Sequence, residues 1–520
     1  MTSFYGEERQ VNVLVDEEEN RISREYIDKW IFRLLLLLIG FMPLIVLAEV
    51  REVISPVVTN IGSLTSGAKG DIFTYYKSLI VLIITIITGL LLLIKIFFMN
   101  GIIRKTKLNY LLAIFAIAIV ISTIASPNIS ITLAGQYNRS DGAISWLCYI
   151  ALMFIAMNIN YPKNAVNKVL YSLYPFIFIN FFIITMNFTG NDLMQKEWIQ
   201  KIVTVLLPEG ASIAEDSQLV GTLNQWNYMS GMFAIMTVMF LAAAIVGKNL
   251  LISIINIICA TFSIAVMLMS ISTSGFLTVL IMVVPILVLI MKAENKIQGI
   301  IILGIFLVLS SITLHILSKE NPVVWRESIG FFVDKNPYEQ EEKISKATNG
   351  FEIDLLNKAY ASDNTFELPK LPGRSWAPGT GRLYIWEKTL NLFKERPIFG
   401  YGLDSLMYNF PHYNIDARAG LFTEHTITDK PHSVYVGILY GTGIIGFIAF
   451  LLIVGIIIIS SIKILFNRKI IYLSILSIGS IAFFIQAIFN DSLPGTSGVM
   501  WALTGILFGL ILSEKEGVKS

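Results

Sequence analysis

The chain has 520 residues, 55% of them hydrophobic and 15% charged, and a mean hydropathy of +0.68. A soluble globule carries about a quarter charged residues, so these values exclude a water-soluble enzyme and indicate an integral membrane protein. The formal net charge of +2 supplies no global basic field, which removes nucleic acid from the expected partners.

The first 29 residues are too long and too acidic for the charged leader of a signal peptide, and are predicted to be a cytoplasmic tail. Crossing about 30 Å of hydrocarbon at 1.5 Å per residue takes about 20 apolar residues. Runs of that kind predict twelve spans: Trp30–Ala48, Ser78–Leu93, Tyr110–Ala125, Ile144–Met157, Val169–Phe188, Tyr228–Val246, Leu250–Ile271, Phe276–Met291, Ile297–Leu317, Val434–Ile459, Ile470–Phe489 and Val499–Leu512. The expected fold is an all-α polytopic membrane protein. Its layout is a tail over 1–29, nine spans over 30–317, an extracytoplasmic loop domain over 318–431, three spans over 432–512, and a cytoplasmic tail over 513–520.

Lys and Arg set the orientation, because short cytoplasmic loops are enriched in them. Arg104, Lys105, Lys107, Lys163, Lys168, Lys248, Lys292, Lys296, Lys463, Arg468 and Lys469 mark one side as cytoplasmic. The connections at 126–142, 272–275 and 491–498 and the long insertion then face outward. The first outward loop fits less well, since it carries Arg51, Lys69 and Lys77. Coupled transporters keep ionised groups at mid-membrane depth. Here Arg33 and Lys95 lie near span ends, where they are expected to snorkel, and no carboxylate falls at a span centre. Coupled transport therefore loses weight. Cys148 and Cys259 sit in apolar runs and read as small hydrophobes rather than disulfide partners or metal ligands.

The outward loops carry the chemistry. ITLAGQYNRSDGAISW holds Arg139 and Asp141 between two glycines; an ordinary polar hairpin is the plainer reading, a basic contact for a lipid-linked phosphate the sharper one. Asn224 and Asn227 open the sixth span, where helix caps are the plainer reading and substrate contacts the sharper one. Trp226 and Tyr228 suit the membrane interface. In the long insertion, one or two surface helices are expected before residue 372. RLYIWEKTLNLFKERP then predicts an amphipathic helix with Leu383, Trp386, Leu390 and Phe393 as its apolar stripe, ended by Pro397. Arg382 at its start shares a face with Trp386 and adds a planar donor fork where exposed N–H groups already favour an anion. His432 lies at the lip of the tenth span, where a neutral imidazole can take a proton from a hydroxyl or simply cap the span. His412 and His425, with Asp416 and Glu424, fit no standard ligand spacing, so no metal is expected.

GTGRLYIW, ERPIFGYG and PHSVYVGILYGTGIIG, following GQYNRSDG and GTLNQWNYMSG, resemble the O-antigen ligase and O-antigen polymerase family of bacterial envelope glycosyltransferases. The resemblance runs from about Gly135 to Gly446, with its pieces in the family's order. It implies a GT-C type enzyme of the bacterial cytoplasmic membrane, multi-pass, with its active site facing outward and no metal or other cofactor. Such an enzyme moves a glycan from an undecaprenyl-diphosphate donor to an acceptor hydroxyl on a glycan or lipid-glycan, among membrane lipids and other polysaccharide-assembly membrane proteins. Carried over by residue, His432 deprotonates or orients the acceptor, Arg382 contacts the diphosphate and Arg139 is a second basic position near the donor. Ser433 stands where the family usually has Asn. Thr273, Ser274 and Gly275 stand where it has Ser-Arg, which leaves the diphosphate to Arg382, Arg139 and Arg374 or Arg396. Single displacement with inversion is expected, since no carboxylate stands out as a nucleophile. Polymerase and ligase remain open, as do a lipid-linked glycan flippase and a non-catalytic export protein.

Overall fold

The computed structural model describes residues 4–56, 64–208, 219–333, 335–339, 382–412 and 427–517. Within them the chain is almost entirely helical. The elements that build the bundle are α1 (Phe4–Gly40), α2 (Tyr75–Phe98), α3 (Lys107–Ile124), α4 (Ile129–Ala134), α5 (Ala143–Met157), α6 (Ala165–Phe188), α7 (Glu197–Val203), α8 (Trp226–Val246), α9 (Leu250–Met269), α10 (Thr273–Lys292), α11 (Lys296–Glu320) and α12 (Val323–Arg326). After them come α13 (Arg382–Glu395), α14 (Leu406–Asn409), α15 (Val434–Leu465), α16 (Ser474–Gln486) and α17 (Val499–Gly517). Among the described residues ten helical stretches are long and apolar enough to cross a membrane, which bears out an all-α polytopic membrane protein.

Two of the twelve expected spans take another form. α1 is one helix from Phe4 to Gly40, so it passes without interruption through the expected tail boundary at 29 and stops before Ala48. Pro43, within the short 3-10 turn Met42–Leu44, cannot continue an α-helix, and the chain leaves the turn extended at Ile45. It then forms a two-stranded antiparallel sheet of β1 (Glu49–Val53) and β2 (Gly67–Asp71), with Glu49 opposite Asp71, an element that charge counting along the loop does not reveal. The other is α5, an apolar helix of only 15 residues.

α8 is the axis of the bundle. In its apolar window 94% of residues are buried, against 11% for α11, which lies at the periphery. α8 packs on α9, α10 and α16, while α15 packs on α3 and α17 on α5. Lipid offers no hydrophobic drive between spans, so close backbone approach and interhelical hydrogen bonds must supply cohesion. At Gly275 of α10 a Cβ would overlap Ser230 of α8, and Gln486 of α16 donates to Ser274 (3.2 Å).

Lys95 corrects the snorkelling expectation. Its ammonium is buried and pairs with Asp28 of α1 at 2.6 Å, and it also donates to the Asn158 carbonyl at 3.0 Å. A carboxylate within reach inside the bundle makes pairing better than stretching to the interface. At this same end Arg104 donates to the carbonyls of Met157 (3.0 Å) and Ile159 (2.8 Å) and to Ser513 Oγ (2.9 Å), binding the end of α17 to the α5–α6 connection. Cys148 and Cys259 are free thiols in the buried interior.

Candidate functional site

At the opposite end of the bundle two sequence motifs meet through their backbones. α15 is broken at Gly443, whose φ of 68° and ψ of −171° lie outside helical space. The break frees backbone groups that the ERPIFGYG segment satisfies: Tyr401 N–H donates to the Tyr440 carbonyl (3.0 Å), Gly402 N–H to Gly441 (2.9 Å) and Ile444 N–H to Pro397 (2.8 Å). Only glycine suits position 443, since the left-handed φ is strained for other residues and a Cβ would overlap the Ile398 carbonyl. The Tyr401 and Tyr440 rings stack at 5.2 Å across this junction. α13 packs on α15 and on this junction, burying Tyr384 and Ile385 with Tyr401, Leu406, Phe410 and Tyr440. The buried face of α13 is thus not the predicted stripe, for Leu383 is 56% and Leu390 38% exposed. The aromatic cluster on one side of α13 decides which face turns inward, and helical periodicity alone does not contain that information.

The segment 429–433 lies between these elements and is held at nearly every residue. Asp429 accepts from Arg139 Nη1 (2.7 Å), and its carbonyl accepts from Nη2 (2.9 Å). Lys430 Nζ donates to Gln225 Oε1 (3.2 Å) and to the Tyr228 hydroxyl (3.1 Å), both at the start of α8. The Pro431 carbonyl accepts from Trp386 Nε1 of α13 (2.7 Å). Ser433 N–H donates to Asp491 Oδ1 (3.2 Å), and Val434 N–H to the carbonyls of Ala487 and Asn490. His432 stands in the middle with a φ of 54°, a left-handed conformation that a non-glycine residue keeps only when its surroundings over-determine it.

The His432 imidazole is partly exposed, and its Nδ1 lies 3.5 Å from Asp491 Oδ2, neither atom holding a hydrogen bond. Burial pushes the imidazole below its usual pKa; Asp491 and Asp429 oppose this, while Lys430 and Arg382 add to it. The neutral base is therefore the ordinary form at neutral pH. Arg382 is the first residue of α13, and its Nε is buried without an acceptor. Burial lowers its pKa and Asp491 opposes the shift, yet a guanidinium stays charged in any case. A cation in want of an acceptor, at a helix start whose N–H groups also attract anions, is matched to a phosphate.

Arg139 is differently placed. Its side chain is 3% exposed and bridges Asp404, at 2.6 Å from Nε, and Asp429. Burial works against its charge, but the two carboxylates outweigh burial and leave its pKa above the usual value. Asp429 in turn is held below the carboxylate range, against burial, by Lys430 and then Arg139. Asp141 is buried, which pushes its carboxyl well up, and accepts from Tyr149 (2.9 Å), Ser492 (3.0 Å) and Trp146 (3.2 Å). Asp404, Asp429, Lys430, Asp491 and Arg139 border a cavity of about 50 Å³.

Of the residues singled out in the sequence, His432, Arg382 and Trp386 meet at one place. Arg139 and Asp141 sit beside them with their polar atoms engaged by protein. Asn224 and Asn227 do not cap α8, whose N-cap is Gln225: Asn224 donates to the Asn138 carbonyl (2.8 Å), and Asn227 to Asn490 (3.1 Å). Arg396 is exposed, donates to the Ala125 carbonyl (3.1 Å) and lies over the Tyr401 ring. Arg374, His425, Asp416 and Glu424 lie outside the described residues, and His412 is buried against the Met407 carbonyl. Sequence reasoning missed Asp404, Asp429, Lys430 and Asp491. A signal existed for two of them, since Asp429 and Lys430 precede His432 in DKPHS.

A comparison with curated proteins gives no match. Residues 257–451, from the middle of α9 into α15, match the family model described as O-Antigen ligase. That stretch takes in Arg382, Trp386, Asp404 and His432 but not Arg139 or Asp491. Through this segment the chain is similar to the O-antigen ligase family.

Proposed function

We propose that this membrane glycan-transfer protein moves a glycan from an undecaprenyl-diphosphate donor to an acceptor hydroxyl, at the outward end of the bundle and with inversion at the anomeric carbon. The observation that carries the reading is the junction of His432, Asp491 and Arg382: a neutral imidazole backed by a carboxylate, beside a guanidinium in want of an acceptor. Transfer from a lipid diphosphate needs charge stabilised on the departing phosphate and the acceptor aligned with the anomeric carbon. Arg382 supplies the first. His432 takes the acceptor proton as the new bond forms, and Asp491 steadies the imidazolium that results. Trp386 holds the helix carrying Arg382 against the segment carrying His432. The basic residues gathered at the other end, including Lys248, Lys292, Lys296, Arg468 and Lys469, support the outward orientation. A multi-pass protein of the bacterial cytoplasmic membrane fits that arrangement.

The test is transfer by purified protein in nanodiscs, given a lipid-linked glycan donor isolated from producing cells. Glycan should pass to the acceptor with inverted configuration, and His432→Ala should lower the rate by roughly 10²–10⁴-fold. Retained configuration, or full activity in the variant, would sink the reading. Transbilayer movement of the donor without transfer would instead make the protein a flippase. The size distribution of polysaccharide in a deletion strain separates a polymerase from a ligase.

A further inference from the structure

We propose that Arg139 is a positioning residue: by bridging Asp404 and Asp429 it fixes the segment that presents His432, and it does not touch the donor. The inference rests on the reading above only for what His432 does, not for how His432 is held. Three observations carry it. The guanidinium is 3% exposed, and its Nε and both terminal nitrogens are engaged by Asp404 and Asp429. Binding a phosphate would mean breaking a buried ion pair and leaving a carboxylate uncompensated, which is strongly unfavourable. Asp404 is itself fixed, its other oxygen accepting from Gln136 N–H at 2.6 Å, so the bridge ties the 429–433 segment to both the 136–141 and the 402–406 connections. Asp429 is three residues before His432, whose left-handed backbone must be imposed from outside.

The bridge also has an electrostatic consequence. His432 is faced by Asp491 from the connection between α16 and α17, by Arg382 from α13, and by Lys430 and Asp429 from its own segment; the Tyr228 hydroxyl of α8 lies on Lys430. Removing the Arg139 charge leaves Asp429 less compensated, and that carboxylate favours the imidazolium. Removing Asp429 acts the other way.

The experiment reads the His432 titration directly in the full chain in nanodiscs. The rate of diethyl pyrocarbonate modification at His432 is measured against pH by peptide mass spectrometry, since only the neutral imidazole reacts. Arg139→Met should raise the midpoint by roughly half a unit or more, Asp429→Asn should lower it, and the double variant should return near wild type. Arg139→Lys should stay near wild type. No shift in either single variant overturns the proposal, and so does a rise in both, which a merely loosened segment would give. In the transfer assay, Arg139→Met should cut kcat by roughly tenfold or more while donor KM stays within about threefold. A large rise in donor KM at unchanged kcat would make Arg139 a substrate contact and also overturn the proposal. Undiminished transfer by His432→Ala would remove the functional reading and leave the titration result standing.

Discussion

At the scale of the residue, the role proposed for the His432–Asp491 pair makes the pH response of the site a test. Burial holds the imidazole below its usual value near pH ~6.5, so activity that depends on the neutral base should be full at pH 7 and fall only on acidification below that value. Asp491 pulls the other way, favouring the imidazolium. Asp491→Asn should therefore move the acid limb of the rate profile to still lower pH while lowering the maximum rate, because the imidazolium formed during transfer loses its counter-charge. An acid limb unmoved in that variant would mean that the carboxylate does not act on His432. Arg382 makes a complementary prediction. Arg382→Lys keeps the charge but loses the planar fork, and should retain a fraction of the transfer rate that Arg382→Ala loses. Both roles concern residues visible in the sequence. Asp491 was not, because a lone carboxylate at a span end has no periodic or spacing signature. Only the fold brings it to within 3.5 Å of an imidazole 59 positions away.

At the scale of the element, α13 and the break in α15 are one unit. The sequence predicts α13 nearly to the residue, from Arg382 to just before Pro397, because a period of 3.6 and a terminal proline are local signals. Its buried face was not legible, since Tyr384 and Ile385 turn inward only because Tyr401 and Tyr440 wait on α15. The break at Gly443 was hidden for the same reason: a glycine in an apolar run reads as continuous helix until the segment that pairs with it is known. Gly443→Ala should impose the left-handed strain of roughly 1–2 kcal/mol, and more where the methyl meets the Ile398 carbonyl, lowering the thermal unfolding midpoint. Trp386→Phe leaves the Pro431 carbonyl without its donor, at a cost of about 1–3 kcal/mol if no water replaces it. Transfer should fall more than stability in that variant, because the lost bond is the tie between Arg382 and His432. Equal losses in a melting curve and a rate assay would refute that tie.

At the scale of the whole molecule, the spans were legible because hydrocarbon thickness imposes a length on them, and ten of the twelve predicted runs are helices able to cross. What length and hydropathy do not specify is how buried charges are matched. Lys95 and Asp28 belong to different helices, and nothing local to either announces the pair. Lys95→Met should strand the Asp28 carboxylate and cost about 3–5 kcal/mol, whereas Lys95→Met with Asp28→Asn should recover much of that loss. A double variant as unstable as the single one would show that packing, not charge, is what Lys95 supplies there.

The left-handed backbone of His432 also determines which inactive variants are fair probes of this protein. Asparagine adopts that conformation more readily than other non-glycine residues and removes the base. A threonine or valine removes it too, but spoils the turn. His432→Asn should therefore be inert while still admitting donor, and so offers a means of trapping the loaded protein for direct observation. A β-branched substitution at the same position would fail for reasons unconnected with chemistry.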